Sequence, residues 1–262
     1  TYSQYRTTYT ALLNSSVQKD HFYSSQRKYE SDLDGALSPN LIPTSVYHNL
    51  VDRVNDRLPL LHRYMGIKKK AMGLEELHLY DLYVPIQENP FGPFSYDQGV
   101  QVMMAGLAPL GEEYVGDLKK GMTSGWIDRY ENKGKRSGAY SWGVYGAHPF
   151  VLLNYQNKLD DVLTLSHEMG HAMHSYYSQK YQPYSNSDYT IFCAEVASTT
   201  NEALVLRHLL KNAKTKEERI FLLTQMAESI RTTLYRQTLF AEFEIYIHGV
   251  VQDKGSITAD DM

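Results

Sequence analysis

A mainly α fold with one small β-sheet is what this sequence predicts, and two patterns predict it. Apolar and aromatic residues recur at helical spacing through most of the 262 residues, and that spacing fails in one glycine-rich interval at about 126–155. A third observation concerns placement. The run His167-Glu168-Met169-Gly170-His171 lies in the first helical stretch after that interval, so the sheet and this helix are neighbours in the chain.

Taken in order, the stretch from Thr1 to about Met65 reads as two helices joined by a short loop. Leu12, Leu13, Phe22, Tyr23, Leu33 and Leu37 supply the first stripe, which breaks at Ser38-Pro39-Asn40. The second begins near Thr44, with Thr44 or Ser45 as cap and Val46, Leu50, Val51, Val54 and Leu58 as its apolar face. Residues 77–85 are rich in strand formers and predict a short strand stopped by Pro85. The segment 88–94 holds Pro90, Gly92 and Pro93 and is irregular. Helices follow over about Tyr96–Ala108 and Glu112–Ser124, separated by Pro109.

Between Trp126 and Asn154, Gly134, Gly138, Gly143 and Gly146 are scattered among Ala139, Tyr140, Trp142, Val144, Phe150 and Val151, which predicts short strands and tight turns. Three helical runs close the chain, at about Lys158–Gln179, Ile191–Asn212 and Thr215–Val250. The last opens with a capping box, Thr215 and Glu218. Its portion Arg231–Phe240 is expected to pack on the two preceding helices, with Arg231 or Arg236 paired to buried acids. The organisation expected is a helical lobe segment over 1–115 and a second region over 116–262 that contains the sheet and the helices after it.

Composition narrows the partners. With 42% apolar and 21% charged residues the chain is globular. A net charge of -4 gives no basis for a nucleic-acid or membrane-surface partner, and Lys68-Lys69-Lys70 is too short to alter this. Lys133, Lys135 and Arg136 read as a solvated loop. Trp142 and Tyr145 lack the basic groove that base stacking requires, and Gly134–Gly146 lacks the Gly-Lys-Ser/Thr ending of a phosphate loop. The single cysteine, Cys193, excludes an intrachain disulfide and fits a reducing, cytoplasmic setting. No run approaches the roughly 18 apolar residues of a membrane span. The chain begins at Thr1 without Met and ends at Asp260-Asp261-Met262, so it reads as an excerpt of a longer polypeptide.

His167 and His171 are four residues apart, one turn of a helix, and so present two imidazoles to a single ion. Glu168 sits where a carboxylate takes a proton from metal-bound water. A tetrahedral site needs a further protein ligand, and Glu195, Glu202 and His174 are the candidates. Glu195 lies in the otherwise apolar Phe192-Cys193-Ala194-Glu195-Val196-Ala197, where an unpaired carboxylate is costly to bury. Glu202, two turns on, suits a hydrogen bond to the distal nitrogen of a ligand histidine. Three ligands spaced along one helix must reach over about 10 Å of axis, which favours a supporting or substrate-side role for His174. Cys193 reads as a small core residue.

The run His167-Glu168-Met169-Gly170-His171-Ala172-Met173-His174, followed by Phe192-Cys193-Ala194-Glu195-Val196-Ala197-Ser198, resembles the signature of the thimet oligopeptidase superfamily of zinc metallopeptidases, and in particular its oligoendopeptidase F branch. Residues 80–85, 134–140 and 148–155 are similar to the same branch. The resemblance implies helical lobes flanking a deep cleft, one Zn2+ held by His167, His171 and Glu195, and Glu168 as general base. It implies an endopeptidase acting on short peptides held along the sheet edge, with Gly138, Ala139 and His148 lining the cleft. A related carboxypeptidase or dipeptidase is the alternative within enzymes, and a catalytically incomplete peptide-binding fragment the alternative outside them. Members of the family are about twice this length and carry a later segment of histidine and tyrosines that steadies the tetrahedral intermediate. No stretch here matches that segment, so the remainder of a parent polypeptide is the partner expected to complete the site.

Overall fold

The computed structural model describes residues 2–261, and Thr1 and Met262, which end the ranges given above, lie outside the described residues. The chain divides into two compact units, Thr1–Val84 with Ala227–Met262, and Pro85–Met226.

Where the spacing predicts two helices before residue 65, four form: α1 (Arg6–Gln26), α2 (Asp32–Leu37), α3 (Thr44–Asn55) and α4 (Leu58–Ala71). The extra breaks have local causes. Lys28 turns the backbone at φ 62°, and Ser31 restarts it by accepting the Asp34 N–H at 3.0 Å. Pro59 stands in the first turn of α4, where its missing N–H costs nothing but cannot continue the α3 ladder. Neither Thr44 nor Ser45 caps α3; Pro43 stands at that position without a side-chain bond. The strand predicted over 77–85 is instead a 3-10 turn, Leu79–Tyr83. The Asp81 carboxylate accepts the His78 N–H at 2.8 Å and coils the chain locally, and the curl delivers the Leu82 carbonyl to the buried ammonium of Lys68, 2.8 Å away.

In the second unit, α5 (Tyr96–Leu107) starts at a reciprocal Ser95–Gln98 cap, and a 3-10 turn through Pro109 leads to α6 (Glu112–Thr123). The glycine-rich interval forms the expected sheet: β1 (Ile127–Asp128), β2 (Tyr140–Trp142) and β3 (Phe150–Leu152). The order is β1-β3-β2, with β3 parallel to β1 and antiparallel to β2, and Ser141 lies opposite Val151. Then come α7 (Leu159–Tyr181), α8 (Ile191–Asn212) and α9 (Lys216–Ile230), the last opened by the predicted Thr215–Glu218 box. Met103, Leu107, Leu118, Trp126, Val151, Leu159, Val162, Leu165, Met169, Val205 and Leu222 form one core in which α7 is central.

A π-helical turn, Arg231–Tyr235, leads into α10 (Arg236–Lys254). This run belongs to the first unit, and within that unit α10 packs on α1 and α3. Val17 of α1 meets Ile247, Val250 and Val251 of α10 in a small separate core. Two buried charges are enclosed in this unit. Asp32 faces His21 Nδ1 and His248 Nδ1, each at 3.0 Å. Lys68 donates to Glu228 Oε1 at 3.1 Å, and Glu228 also accepts from Tyr64 Oη at 2.7 Å and from Arg231 Nε at 2.7 Å. Among the described residues no helix is long and apolar enough to cross a membrane.

Candidate metal centre

The site is built on α7 and α8. The N-terminus of α7 is fixed by Asp161, whose carboxylate accepts the backbone N–H groups of Gln156 (2.9 Å) and Lys158 (2.8 Å). Leu159, Val162, Leu165, Met169, Ala172 and Met173 then seat it in the core. Gly170 lets α8 approach: a Cβ there would stand 2.6 Å from Ser198 Cα and 2.8 Å from the Ala197 carbonyl oxygen. That backbone contact accounts for a glycine in a helix interior, where it costs about 0.5–1 kcal/mol relative to alanine. Asn201 adds a cross-link, donating to the Ser166 carbonyl at 3.2 Å while accepting from Tyr114 Oη at 3.0 Å. The two helices are thereby pinned directly beside the histidine pair.

Three donor atoms converge from them. His167 Nε2 and His171 Nε2 are 3.1 Å apart, and Glu195 Oε2 lies 3.4 Å from the first and 3.5 Å from the second. A tetrahedral ion with bonds of about 2.0–2.1 Å holds its donors roughly 3.3 Å from one another. The triangle has that size. His167 Nδ1 lies 2.5 Å from Glu202 Oε1, so a proton held there leaves the Nε2 lone pair directed at the cluster. Lone pairs and a carboxylate facing one point repel each other unless a cation sits between them. The residues present therefore fit a metal ion, and this is the group of His, Cys, Asp and Glu found with metal-ligand spacing among the described residues.

Electrostatics follow burial. Glu168 is 7% exposed, and its Oε2 has no hydrogen-bond partner. Burial pushes its carboxyl up to about 7, with His167 opposing and Glu195 and Glu202 assisting. Burial disfavours the His167 cation, yet the Glu202 hydrogen bond and the surrounding carboxylates outweigh it and raise that group. His171 is lowered by burial and by His167.

The other predicted residues are placed as follows. Glu202 meets His167, as described. His174 is half-buried, its ring stacked on Tyr189 with centroids 3.7 Å apart. Gly138 and Ala139 line a cavity of about 460 Å³ together with Lys135, Asn154, Asp161 and Thr164. His148 stacks on Trp126 and meets the Phe150 ring at a tilt of 44°, and no described contact joins it to the three donors. Sequence reasoning assigned nothing to Ser198, whose hydroxyl donates to Glu195 Oε2 at 2.8 Å and to the Glu195 carbonyl at 3.1 Å. Its i+3 spacing from Glu195 was the available signal.

Comparison with known proteins gives the site its relatives. Over 260 residues the chain is 48% identical to the oligopeptidase PepF of Bacillus subtilis, covering 99% of this chain and 39% of that one. A solved chain from Chlamydophila abortus superposes with a TM-score of 0.87 at 44% identity, over 99% of this chain and 44% of that one. The oligoendopeptidase-F structure from Enterococcus faecium follows with a TM-score of 0.68 at 33% identity, over 98% and 38%. The chain thus spans about two fifths of the length of the curated relatives it matches. The family model described as peptidase family M3 matches residues 1–262 from end to end, and the chain belongs to that family, in its oligoendopeptidase F branch.

Proposed function

We propose that this chain holds the zinc site of an endopeptidase that hydrolyses internal bonds of short peptides. The observation that carries the reading is the triangle of His167 Nε2, His171 Nε2 and Glu195 Oε2, with sides of 3.1, 3.4 and 3.5 Å. Those three residues are the ligands. Bound there, zinc supplies a water of lowered pKa and polarisation of the scissile carbonyl. Glu168, buried next to His167 in the sequence and short of one hydrogen-bond partner, takes the proton from the attacking water and delivers it to the leaving amine nitrogen. Glu202 orients His167 through Nδ1, and Ser198 orients the Glu195 carboxylate. β2 is an outer strand of the sheet, with Gly138 and Ala139 just before it, and it offers an extended peptide main-chain hydrogen bonds largely independent of sequence. A cytoplasmic setting belongs to this reading. No nucleic acid and no membrane enter it.

Residues outside these 262 complete the catalytic apparatus in this reading, by donating to the developing oxyanion. The chain's coverage of about two fifths of its relatives supports that, and it also supports the second reading, a fragment that binds zinc and peptide with little turnover. Zinc analysis combined with a peptide-cleavage assay, on this chain and on a longer polypeptide containing it, separates the two. Stoichiometric zinc is expected in both proteins and faster cleavage in the longer one. Cleavage that disappears on C-terminally amidated peptides would replace the endopeptidase with a carboxypeptidase, and absence of zinc binding would sink the metal reading altogether.

A further inference from the structure

The N-terminal end of α8 carries Glu195 but is poorly anchored by its own residues. Ile191, Phe192 and Val196 are 75%, 62% and 64% exposed, and Ala194 is the first buried residue, with Ser198 the next. Thr190, at the N-cap position, makes no side-chain cap bond. A helix end without a cap and with little apolar burial frays within its first turns, yet Glu195 must be held within a few tenths of an ångström of its place opposite the histidines. The Gly170 contact and the Asn201 bond hold α8 from Ser198 onward, and a contact ahead of Ile191 is what would steady the turn before it.

The connection 182–190 does so from the α7 side. Ser178 Oγ donates to the Ser187 carbonyl at 2.6 Å, and Tyr145 Oη to the Gln182 carbonyl at 3.3 Å. The strongest seat is Tyr189, the residue before Thr190. Its ring lies on His174 with centroids 3.7 Å apart and planes 15° from parallel, and its hydroxyl is 2.8 Å from Ser175 Oγ. Ser175 is itself trapped, because Gly143 presses on it so closely that a Cβ there would stand 2.6 Å from Ser175 Cβ. His174 follows His171 by three residues on the same helix, so the stack refers the start of α8 to the helix that carries the other two donors. Burial lowers His174, which favours the uncharged ring in this stack.

We propose that Tyr189 is a positioning residue for the metal centre: seated on His174 and Ser175, it fixes the start of α8 and so holds Glu195 opposite His167 and His171. This rests on the zinc reading given above. It is tested by titrating zinc against a competing chelator, with wild type, Tyr189→Ala, Tyr189→Phe, Glu195→Ala and the Tyr189→Ala/Glu195→Ala double variant. Tyr189→Ala should weaken zinc binding about tenfold, as loss of an outer partner of a metal site does. Tyr189→Phe, which keeps the stack, should remain close to wild type. In the Glu195→Ala background the Tyr189 change should have no further effect, because the group it positions is gone. Wild-type affinity in Tyr189→Ala, or an equal loss in both backgrounds, overturns the proposal. If metal-free Tyr189→Ala has lost helical circular dichroism, Tyr189→Leu, which keeps apolar bulk but not the stack on His174, replaces it in the same cycle: a loss seen with Glu195 present and absent in Glu195→Ala supports the assignment, and no loss, or an equal loss in both backgrounds, overturns it. Failure of wild type itself to bind zinc would instead remove the zinc reading.

Discussion

Each unit of this chain gathers charged side chains at a half-buried point, and the two gatherings differ in whether they balance. In the first unit, Lys68 is 1% exposed, yet its ammonium meets Glu228 and the Leu82 carbonyl, while Glu228 is shared by Tyr64 and Arg231. Every donor there faces an acceptor. In the second unit, His167 Nε2, His171 Nε2 and Glu195 Oε2 face one another as acceptors, and Glu168 Oε2 has no partner. A closed ion network is a complete structural element. A cluster of inward-facing acceptors is complete only with a cation, and that imbalance distinguishes a candidate centre from structural electrostatics.

Four measurements break or sharpen the contrast. The largest expected effect belongs to Glu168→Gln, which should retain stoichiometric zinc while peptide cleavage falls by about 10²–10⁴-fold, the range for loss of a general base; undiminished cleavage would release Glu168 from that role. Next is Glu228→Ala, which leaves Lys68 buried and unpaired. Denaturant unfolding should show a loss of about 3–5 kcal/mol, the range for breaking a buried pair by removing one partner. A smaller change is expected from Glu202→Gln, which weakens the hold on His167 Nδ1 and should reduce zinc affinity by about 10–100-fold in chelator competition without altering metal-free stability. The smallest is a pH effect in the first unit. Burial alone raises the Glu228 carboxyl, but the bonds from Tyr64, Arg231 and Lys68 outweigh it and hold it below 4.5. A depressed carboxyl stabilises the fold above its unfolded-state value, and that contribution is lost as pH falls through the folded value. Stability should therefore decline on acidification below about 4.5, and Glu228→Gln should flatten the decline.

Legibility followed the range of the interactions involved. The histidine pair was readable because four residues of helix set it; Glu195 was one of three candidate partners until the resemblance singled it out, and the expected cost of burying it does not arise, because its side chain is 55% exposed. The helices α5 to α8 were readable from Pro109 and apolar spacing, whereas the Ser95–Gln98 cap that opens α5 went unread. Residues 77–85 misled, since Leu77, Tyr80, Tyr83 and Val84 suit a strand but find no partner strand, and Asp81 bonded to His78 coils them instead. Lys68, noted in the sequence only as part of a short basic run, is buried against a partner 160 residues away. The stack of Tyr189 on His174 has no sequence signature, because nothing in a loop tyrosine shows which ring it will meet.

Gly170 carries a further consequence, for which ions the centre accepts. It sets the separation of α7 and α8 at the level of the histidines, so under the zinc reading it would work as a gauge of ionic radius. The spacing it permits suits an ion with bonds near 2.0–2.1 Å, whereas an ion such as Ca²⁺, at about 2.3–2.6 Å, needs the donors further apart. A methyl group at position 170 would push against the Ser198 backbone and widen the bite. If the proposed ion is bound there, selectivity among divalent metals would be set in part by a residue that has no side chain to offer any of them.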